Sequence, residues 1–238
     1  VKSLTVTGAT TVNKVYDGIN TATVTGGTLV GVVGSDVVTL IQSGTFAQTG
    51  VGTNIAITST STIGGANAGN YSLTQPSLAA RNITAKALTV TGSTTANKVY
   101  DGTNTATVTG GTLVGVVGSD VVTLTQSGTF AQTGVGTNIA ITSTSTIGGA
   151  NAGNYTLIQP TLIARNITPA TLTITANNQT VAFGTPVATV TGNGSYTATG
   201  FVNGETSAVI GGSATYTTTY TTTTAAVTAG VTITPVVT

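Results

Sequence analysis

Apolar and polar positions alternate along most of the chain in short runs. In Leu4-Thr5-Val6-Thr7 and Asn54-Ile55-Ala56-Ile57-Thr58 the apolar side chains fall on one face, the hydroxyls and amides on the other. That is the period-2 pattern of a sheet packed on one side and wet on the other. Similar runs at residues 14–16, 21–25, 37–41, 44–47, 71–73 and 78–83 are separated by Gly, Asn, Asp and Ser clusters, which read as turns. The pattern predicts seven or eight short strands within the first 84 residues and no long helix, since Leu, Glu, Lys, Gln and Met runs are absent.

The same pattern then returns. Lys14-Val15-Tyr16-Asp17-Gly18 recurs 84 positions later as Lys98-Val99-Tyr100-Asp101-Gly102, as do Gly34-Ser35-Asp36 at Gly118-Ser119-Asp120 and Arg81-Asn82-Ile83-Thr84 at Arg165-Asn166-Ile167-Thr168. Residues 1–84 and 85–168 differ at ten positions, among them Val12/Ala96, Ile19/Thr103 and Ile41/Thr125. A unit of this size is too long for a solenoid coil and suits a small two-sheet sandwich of ~100 residues or fewer. Residues 169–238 open alike, with Ala170-Thr171-Leu172-Thr173-Ile174 against Lys86-Ala87-Leu88-Thr89-Val90, then diverge into turns at Gly184-Thr185-Pro186 and at residues 200–205, and close on Val231-Thr232-Ile233-Thr234-Pro235. The expected organisation is an all-β chain of three tandem domains, 1–84, 85–168 and 169–238. Each closing Ile-Thr strand runs almost directly into the next domain, so the product is an elongated rod.

Composition narrows the function. Threonine and valine stand out, and both are β-branched residues suited to pleated surfaces. Charged residues make up 5%, against roughly a quarter in ordinary domains. A net charge of +1, with six basic residues spread singly, gives no phosphate-neutralising patch and so no nucleic-acid partner. No apolar run reaches the ~20 residues needed to span a bilayer, so no direct membrane insertion is expected. There is no cysteine and no histidine, which removes disulfides, zinc sites, Ser-His-Asp triads and Cys-His dyads. Val1 already lies within a strand-like pattern, and the chain reads as a fragment of a longer one.

Lys-Val-Tyr-Asp-Gly-x-Asn-Thr-Ala near the start of each copy, with Ala68-Gly69-Asn70-Tyr71-Ser72-Leu73 and the closing Asn82-Ile83-Thr84, resembles the YDG repeat domain of bacterial surface proteins. Residues 171–178 followed by Ala182-Phe183-Gly184-Thr185-Pro186 are similar to the MBG (mostly bacterial immunoglobulin-like) domain, with Phe183 where that family more often has tyrosine. The resemblance implies immunoglobulin-like β-sandwiches in tandem. It also implies an extracellular place on the bacterial cell surface, in filamentous-haemagglutinin-like secreted adhesins. The function it implies is a stalk that contacts neighbouring repeats of its own chain. Other parts of the full protein would meet a host, matrix or surface ligand in attachment and biofilm formation.

The Tyr16-Asp17-Gly18 and Tyr100-Asp101-Gly102 segments read first as structural turns: aspartate caps nearby amides, glycine takes positive φ and tyrosine packs with its hydroxyl at the boundary. A calcium site at Asp17 and Asn20, or Asp101 and Asn104, competes with that reading, although calcium wants six to eight oxygens. Three further ideas follow from residue types: a Lys-Asn cross-link from Lys2 or Lys86 to Asn82 or Asn166, N-glycosylation at Asn70, Asn154, Asn82 or Asn166, and a tyrosine corner at Asn70-Tyr71. Asp17 and Asp36 lack the cleft and aromatic platforms that a paired-carboxylate hydrolase needs, so no catalytic residue, no cofactor and no enzyme activity are expected. The rival functions are a carbohydrate- or surface-binding module with its face in 169–238, above all in the Thr-rich stretch Tyr216–Thr224, and an ice-binding surface, which an 84-residue period does not supply.

Overall fold

The computed structural model describes residues 1–212, 214–224 and 232–237; Val231 of the expected closing run lies outside them. The class is all-β: the described residues form many short strands, one six-residue α-helix and three single 3-10 turns.

In the first repeat the strands are β1 (Lys2–Thr7), β2 (Thr10–Thr11), β3 (Lys14–Val15), β4 (Thr21–Ala22), β5 (Val24–Thr25), β6 (Thr28–Val30), β7 (Thr39–Ile41), β8 (Gly44–Phe46), β9 (Gly52–Ile55), β10 (Ile57–Ser59), β11 (Thr62–Gly64), β12 (Tyr71–Leu73) and β13 (Arg81–Thr84). They hydrogen-bond as β12-β1-β6, β10-β8-β4, β3-β13-β9 and the pairs β11-β7 and β2-β5. Two pairings are parallel, β1 with β12 (Lys2↔Tyr71) and β13 with β3 (Ile83↔Lys14). The second repeat reproduces the order, with Lys86–Thr91 between Tyr155–Leu157 and Thr112–Val114, and Arg165–Thr168 between Lys98–Val99 and Gly136–Ile139.

Two expected strands are each broken in half. The run 21–25 splits at Thr23, where β4 joins β8 and β5 joins β2. The run 54–58 splits at Ala56, where β9 joins β13 and β10 joins β8. Side chains still alternate across the second break, since Ile55 and Ile57 are both buried, but the chain changes hydrogen-bonding partner. Ahead of it Asn54 takes φ +51°, a left-handed conformation that asparagine tolerates better than most residues. The register slips there, Arg81 facing Ile55 while Ile83 faces Gly52, as in a β-bulge. The expected strand 78–83 begins only at Arg81, and β2, β6 and β11 had no counterpart in the predicted pattern.

By packing, the chain divides into two compact units. The first comprises Val1–Thr94, Val108–Gly128 and Ser143–Leu162; the second comprises Thr95–Thr107, Thr129–Thr142 and the residues from Ile163 onward. In the first unit Tyr16, Ala22, Phe46, Ile55, Ile57 and Ile83 of the first repeat form one core with Leu88 and Tyr155 of the second. In the same repeat two buried serines, Ser59 and Ser61, are satisfied with the help of the exposed Gln75 and half-buried Ser43. Ser59 Oγ donates to Gln75 Oε1 at 2.6 Å, Gln75 Nε2 to the Ser61 carbonyl at 2.7 Å and Ser61 Oγ to the Ser43 carbonyl at 3.2 Å.

In the second unit, Thr173–Ala176 pairs antiparallel with Tyr196–Thr199, and Ala214–Thr218 with Ile233–Val237. Pro186, expected within a turn, instead precedes helix α1 (Val187–Gly192), whose Val190 is buried. Pro186 is the N-cap, in extended conformation, and a proline there biases Thr185 away from helical backbone, so the helix does not extend backward.

Candidate functional site

Each Tyr-Asp-Gly turn follows a two-residue strand and is clipped to the last strand of its repeat. The Tyr16 amide donates to the Thr84 carbonyl at 2.9 Å, and the Tyr100 amide to Thr168 at 2.8 Å. Asp17 Oδ1 accepts from the Ile19 amide at 3.1 Å, and Asp101 Oδ1 from the Thr103 amide at 2.8 Å, the aspartate-capped turn. Gly18 and Gly102 take φ +82° and +76°, which costs a glycine little.

The lysine two residues before the tyrosine completes the turn. Lys14 Nζ lies 2.8 Å from Asp17 Oδ1 and donates to the carbonyls of Ile19 at 2.7 Å and Thr21 at 3.1 Å, which uses all three ammonium protons. Lys98 repeats this against Asp101, Thr103 and Thr105. Burial alone would raise the Asp17 carboxyl, but the bond from Lys14 and the Ile19 amide outweigh it and hold it below its usual value. The Lys98 ammonium, then the Thr103 amide, bring the Asp101 carboxyl down to about 2.

This geometry revises the calcium alternative. A hollow of about 190 Å3 is bordered by Asn13, Lys14, Asp17 and Thr21, and its cation is the protein's own ammonium. Asn20 and Asn104 turn their backbone carbonyls to the amides of Phe46 and Phe130, each at 2.7 Å. Among the described residues no group of three or more acidic residues could hold a metal ion. Asp17 and Asp36 also go to different partners, Lys14 and Tyr71.

The tyrosine hydroxyls do what the sequence reading did not foresee. Tyr16 is buried, and its hydroxyl leaves its own repeat to donate to Asp120 Oδ2 at 2.8 Å. Tyr155 donates to the same oxygen at 2.5 Å and accepts from the Val117 amide at 2.9 Å. The two rings meet edge to face, centroids 5.4 Å apart at 81°, a favoured aromatic arrangement. Around them the Val51 amide donates to Asn154 Oδ1 at 3.0 Å. A Cβ on Gly18 would stand 3.0 Å from Val117 Cγ1, so the turn and the second repeat are in direct contact.

In the second compact unit the other turn does the same with a different acceptor. The Tyr100 hydroxyl donates to Glu205 Oε1 at 2.7 Å. A Cβ on Gly102 would collide with the Asn203 side chain. The chain has five acidic residues. Two are held by the turn lysines, and the other three, Asp36, Asp120 and Glu205, each accept a tyrosine hydroxyl. With so few charges, the pairing of three spare acids with tyrosines was the signal available in the sequence.

Burial, then the bond to Asp120, raises the Tyr16 hydroxyl above its ordinary value, and the same causes push Tyr155 up to about 12. In Tyr71 and Tyr100 the bonds to Asp36 and Glu205 are the leading causes of a rise. A tyrosine titrating near 10 when unfolded and near 12 when folded favours folding in its protonated form. That contribution is intact below pH 10 and disappears as the pH climbs toward about 12. The melting temperature should therefore fall through this window as absorbance near 295 nm reports tyrosinate, and Tyr155→Phe should flatten the fall.

Lys2 lies in β1, which pairs with β12 and β6, whereas Asn82 lies in β13, between β3 and β9. The Asn82 and Asn166 side chains accept from the amides of Asn54 and Asn138, each at 2.8 Å. First and last strands thus belong to different sheets, and the oxygen of each asparagine side chain is engaged by a backbone amide. Asn70 is exposed, while its counterpart Asn154 is half-buried. Tyr71 begins β12, and its hydroxyl accepts from the Val33 amide at 3.0 Å, a partner 38 residues away where a tyrosine corner bonds the backbone a few residues upstream. A hollow of about 450 Å3 in the second unit is lined by Tyr196, Phe201, Glu205 and Ser207 among others. No helix among the described residues is long and apolar enough to cross a membrane.

Residues 1–78 and 84–162 each match the family model of the YDG domain, about two thirds of the chain together. No curated protein and no solved structure matches the chain.

Proposed function

The chain belongs to the YDG domain family, and from that premise we propose that it is a structural stalk of a bacterial cell-surface or secreted adhesin. Its repeats hold an adhesive region away from the cell for attachment and biofilm formation. The observation that carries this reading is the bond from the Tyr16 hydroxyl to Asp120. It uses the motif that marks the family to fasten one repeat to the next, not to bind or transform a small molecule. A shared apolar core and one intervening residue, Ala85, between β13 and Lys86–Thr91 stiffen the same junction. Rotation there would break an edge-to-face aromatic pair and expose a charge-assisted hydrogen bond.

The finer architecture belongs to the proposal as well: immunoglobulin-like sandwiches at 1–84 and 85–168, an MBG-type domain at 169–238, and an extended rod. Its partners are neighbouring repeats of the same chain, and a host, matrix or surface ligand is met elsewhere in the intact protein. A binding module in 169–238 is the second reading. The hollow beside Tyr196 and Phe201 favours it, since half-buried aromatics bordering a hollow suit sugar stacking. A glycan-array signal lost on Tyr196→Ala and Phe201→Ala would support that reading over a pure spacer.

The rod has a direct test in solution. Domains with strands of five to eight residues at ~3.3 Å rise, plus loops, are roughly 35–40 Å long. Three in line would reach roughly 100–120 Å, against a radius of gyration near ~18 Å for one globule of this length. Small-angle scattering should give the long dimension; the compact value would refute the rod.

A further inference from the structure

The face of the second repeat that receives Tyr16 has an unoccupied twin on the first. Gly31–Val38 and Gly64–Tyr71 are identical to Gly115–Val122 and Gly148–Tyr155. The receiving geometry is already formed in both. The Tyr71 hydroxyl donates to Asp36 Oδ2 at 2.6 Å and accepts from the Val33 amide at 3.0 Å, as Tyr155 does with Asp120 and Val117. The Asp36 and Asp120 amides both donate to a carbonyl three residues back at 3.0 Å, and Asn67 and Asn151 cap the Val37 and Val121 amides at 2.9 Å.

What differs is cover. Val33 is 50% exposed and Asn70 is exposed, whereas Val117 and Asn154 are half-buried beneath the first repeat's turn. Asp36 accepts one tyrosine hydroxyl and Asp120 accepts two. A carboxylate has lone pairs for both. Identical residues in identical geometry thus bind a tyrosine in one place and stand open in the other.

We propose that the Asp36 face, with Val33, Asn70 and Tyr71, is a docking site for the Tyr-Asp-Gly turn of a further YDG repeat joined ahead of it in the polypeptide. This rests on the stalk reading of the occupied junction. The incoming tyrosine hydroxyl donates to Asp36, its ring packs edge-on against Tyr71, its glycine lies on Val33, and a backbone amide of the incoming repeat reaches Asn70 as Val51 reaches Asn154. Chain geometry selects a tandem neighbour. Lys2 faces Tyr71 in the register that Lys86 keeps with Tyr155, so a repeat ending just ahead of Lys2 delivers its turn to Asp36 as the first repeat delivers Tyr16 to Asp120. A second copy of this chain offers no free turn, because Tyr16 is spent on Asp120 and Tyr100 on Glu205.

The test uses thiol labelling, since the chain has no cysteine of its own. In the full chain as it stands, Val33→Cys should react quickly with a maleimide and Val117→Cys slowly, and Tyr16→Ala should speed Val117→Cys several-fold. Fusing one more copy of residues 1–84 ahead of Val1 should slow Val33→Cys to the rate of Val117→Cys. Alanine at the added copy's tyrosine, or Asp36→Ala, should restore it. Equal rates at Val33 with and without the added copy overturn the proposal. So does a rate in the unextended chain that falls with protein concentration, which would mean a second copy occupies the face. Should the added copy fail to fold, an unchanged Val117→Cys rate on Tyr16→Ala would still refute the mechanism. A compact scattering profile beside the expected labelling pattern would reject the stalk and leave this site standing.

Discussion

A chain carrying Phe46→Ala is expected to lose about 3–5 kcal/mol of stability, the usual cost of emptying a filled aromatic site. Phe46 is 1% exposed, in the central strand of β10-β8-β4, and belongs to one cluster with Tyr16, Ala22, Ile55, Ile57 and Ile83. Its strand neighbour on the same face is Gly44, against which Val24, Ile57 and Leu78 already press closely, so no side chain is free to fill the void. Domains of this size hold about 5–15 kcal/mol in total, so the first repeat would be left near its limit. Because the cluster continues through Leu88 and Tyr155, the loss should also reach the adjoining part of the second repeat. Urea denaturation should show the midpoint falling. Ile41→Ala, at a side chain 59% exposed, should stay within about 0.5 kcal/mol. Equal effects at the two sites would contradict the assignment of the core.

The second large effect belongs to Asp120→Ala. One carboxylate oxygen receives both the Tyr16 and Tyr155 hydroxyls, and both tyrosines are buried. Removing it strands two donors away from water, at about 1–3 kcal/mol for each orphaned group, so a loss of roughly 2–6 kcal/mol is expected. Asp36→Ala makes the same chemical change but strands only Tyr71 and should cost clearly less. Asp120→Asn keeps an acceptor oxygen and should fall between. Chemical denaturation of the three variants orders them, and an Asp36→Ala loss matching that of Asp120→Ala would dissolve the special role of the junction.

The class, the 84-residue repeat and the buried faces could be read from the chain because they are local or periodic. Leu4, Ile55, Ile57 and Ile83 sit on the apolar side of their alternation and are buried in the fold. The two broken strands could not be read. Alternation through Ile55-Ala56-Ile57 is preserved while the hydrogen-bond partner changes from β13 to β8, and side-chain pattern carries no information about which backbone lies alongside. The strands β2 and β6 were missed because two or three residues are too few for alternation to show, and Thr28-Leu29-Val30 sits between glycines that read as turns. Helix α1, with the sequence Val-Ala-Thr-Val-Thr-Gly, has four β-branched residues that favour strands among its six, and its Val190 is buried.

The turn was legible only in its own half. Aspartate capping, positive-φ glycine and a packed tyrosine follow from local chemistry, and Asp17, Gly18 and Tyr16 do these things. The lysine that completes each turn lies three residues before the aspartate, and its role needed the fold to bring the Ile19 and Thr21 carbonyls round to it. The destination of the hydroxyl needed more still: Asp120 stands 104 positions from Tyr16 and Glu205 stands 105 from Tyr100. Only the near-equality of those two separations, and the scarcity of acids, hinted that the tyrosine reaches forward beyond its own repeat.

The most direct test of the locked junction is a distance distribution between two nitroxides by pulsed electron resonance. Thr58→Cys in the first repeat and Thr123→Cys in the second are exposed positions, and no native cysteine competes for the label. A single narrow distribution is predicted for the otherwise unaltered chain, broadening on Asp120→Ala while a pair of labels within the first repeat stays narrow. A broad distribution in the unaltered chain, or one indifferent to Asp120→Ala, would contradict a junction held by the Tyr-Asp-Gly turn.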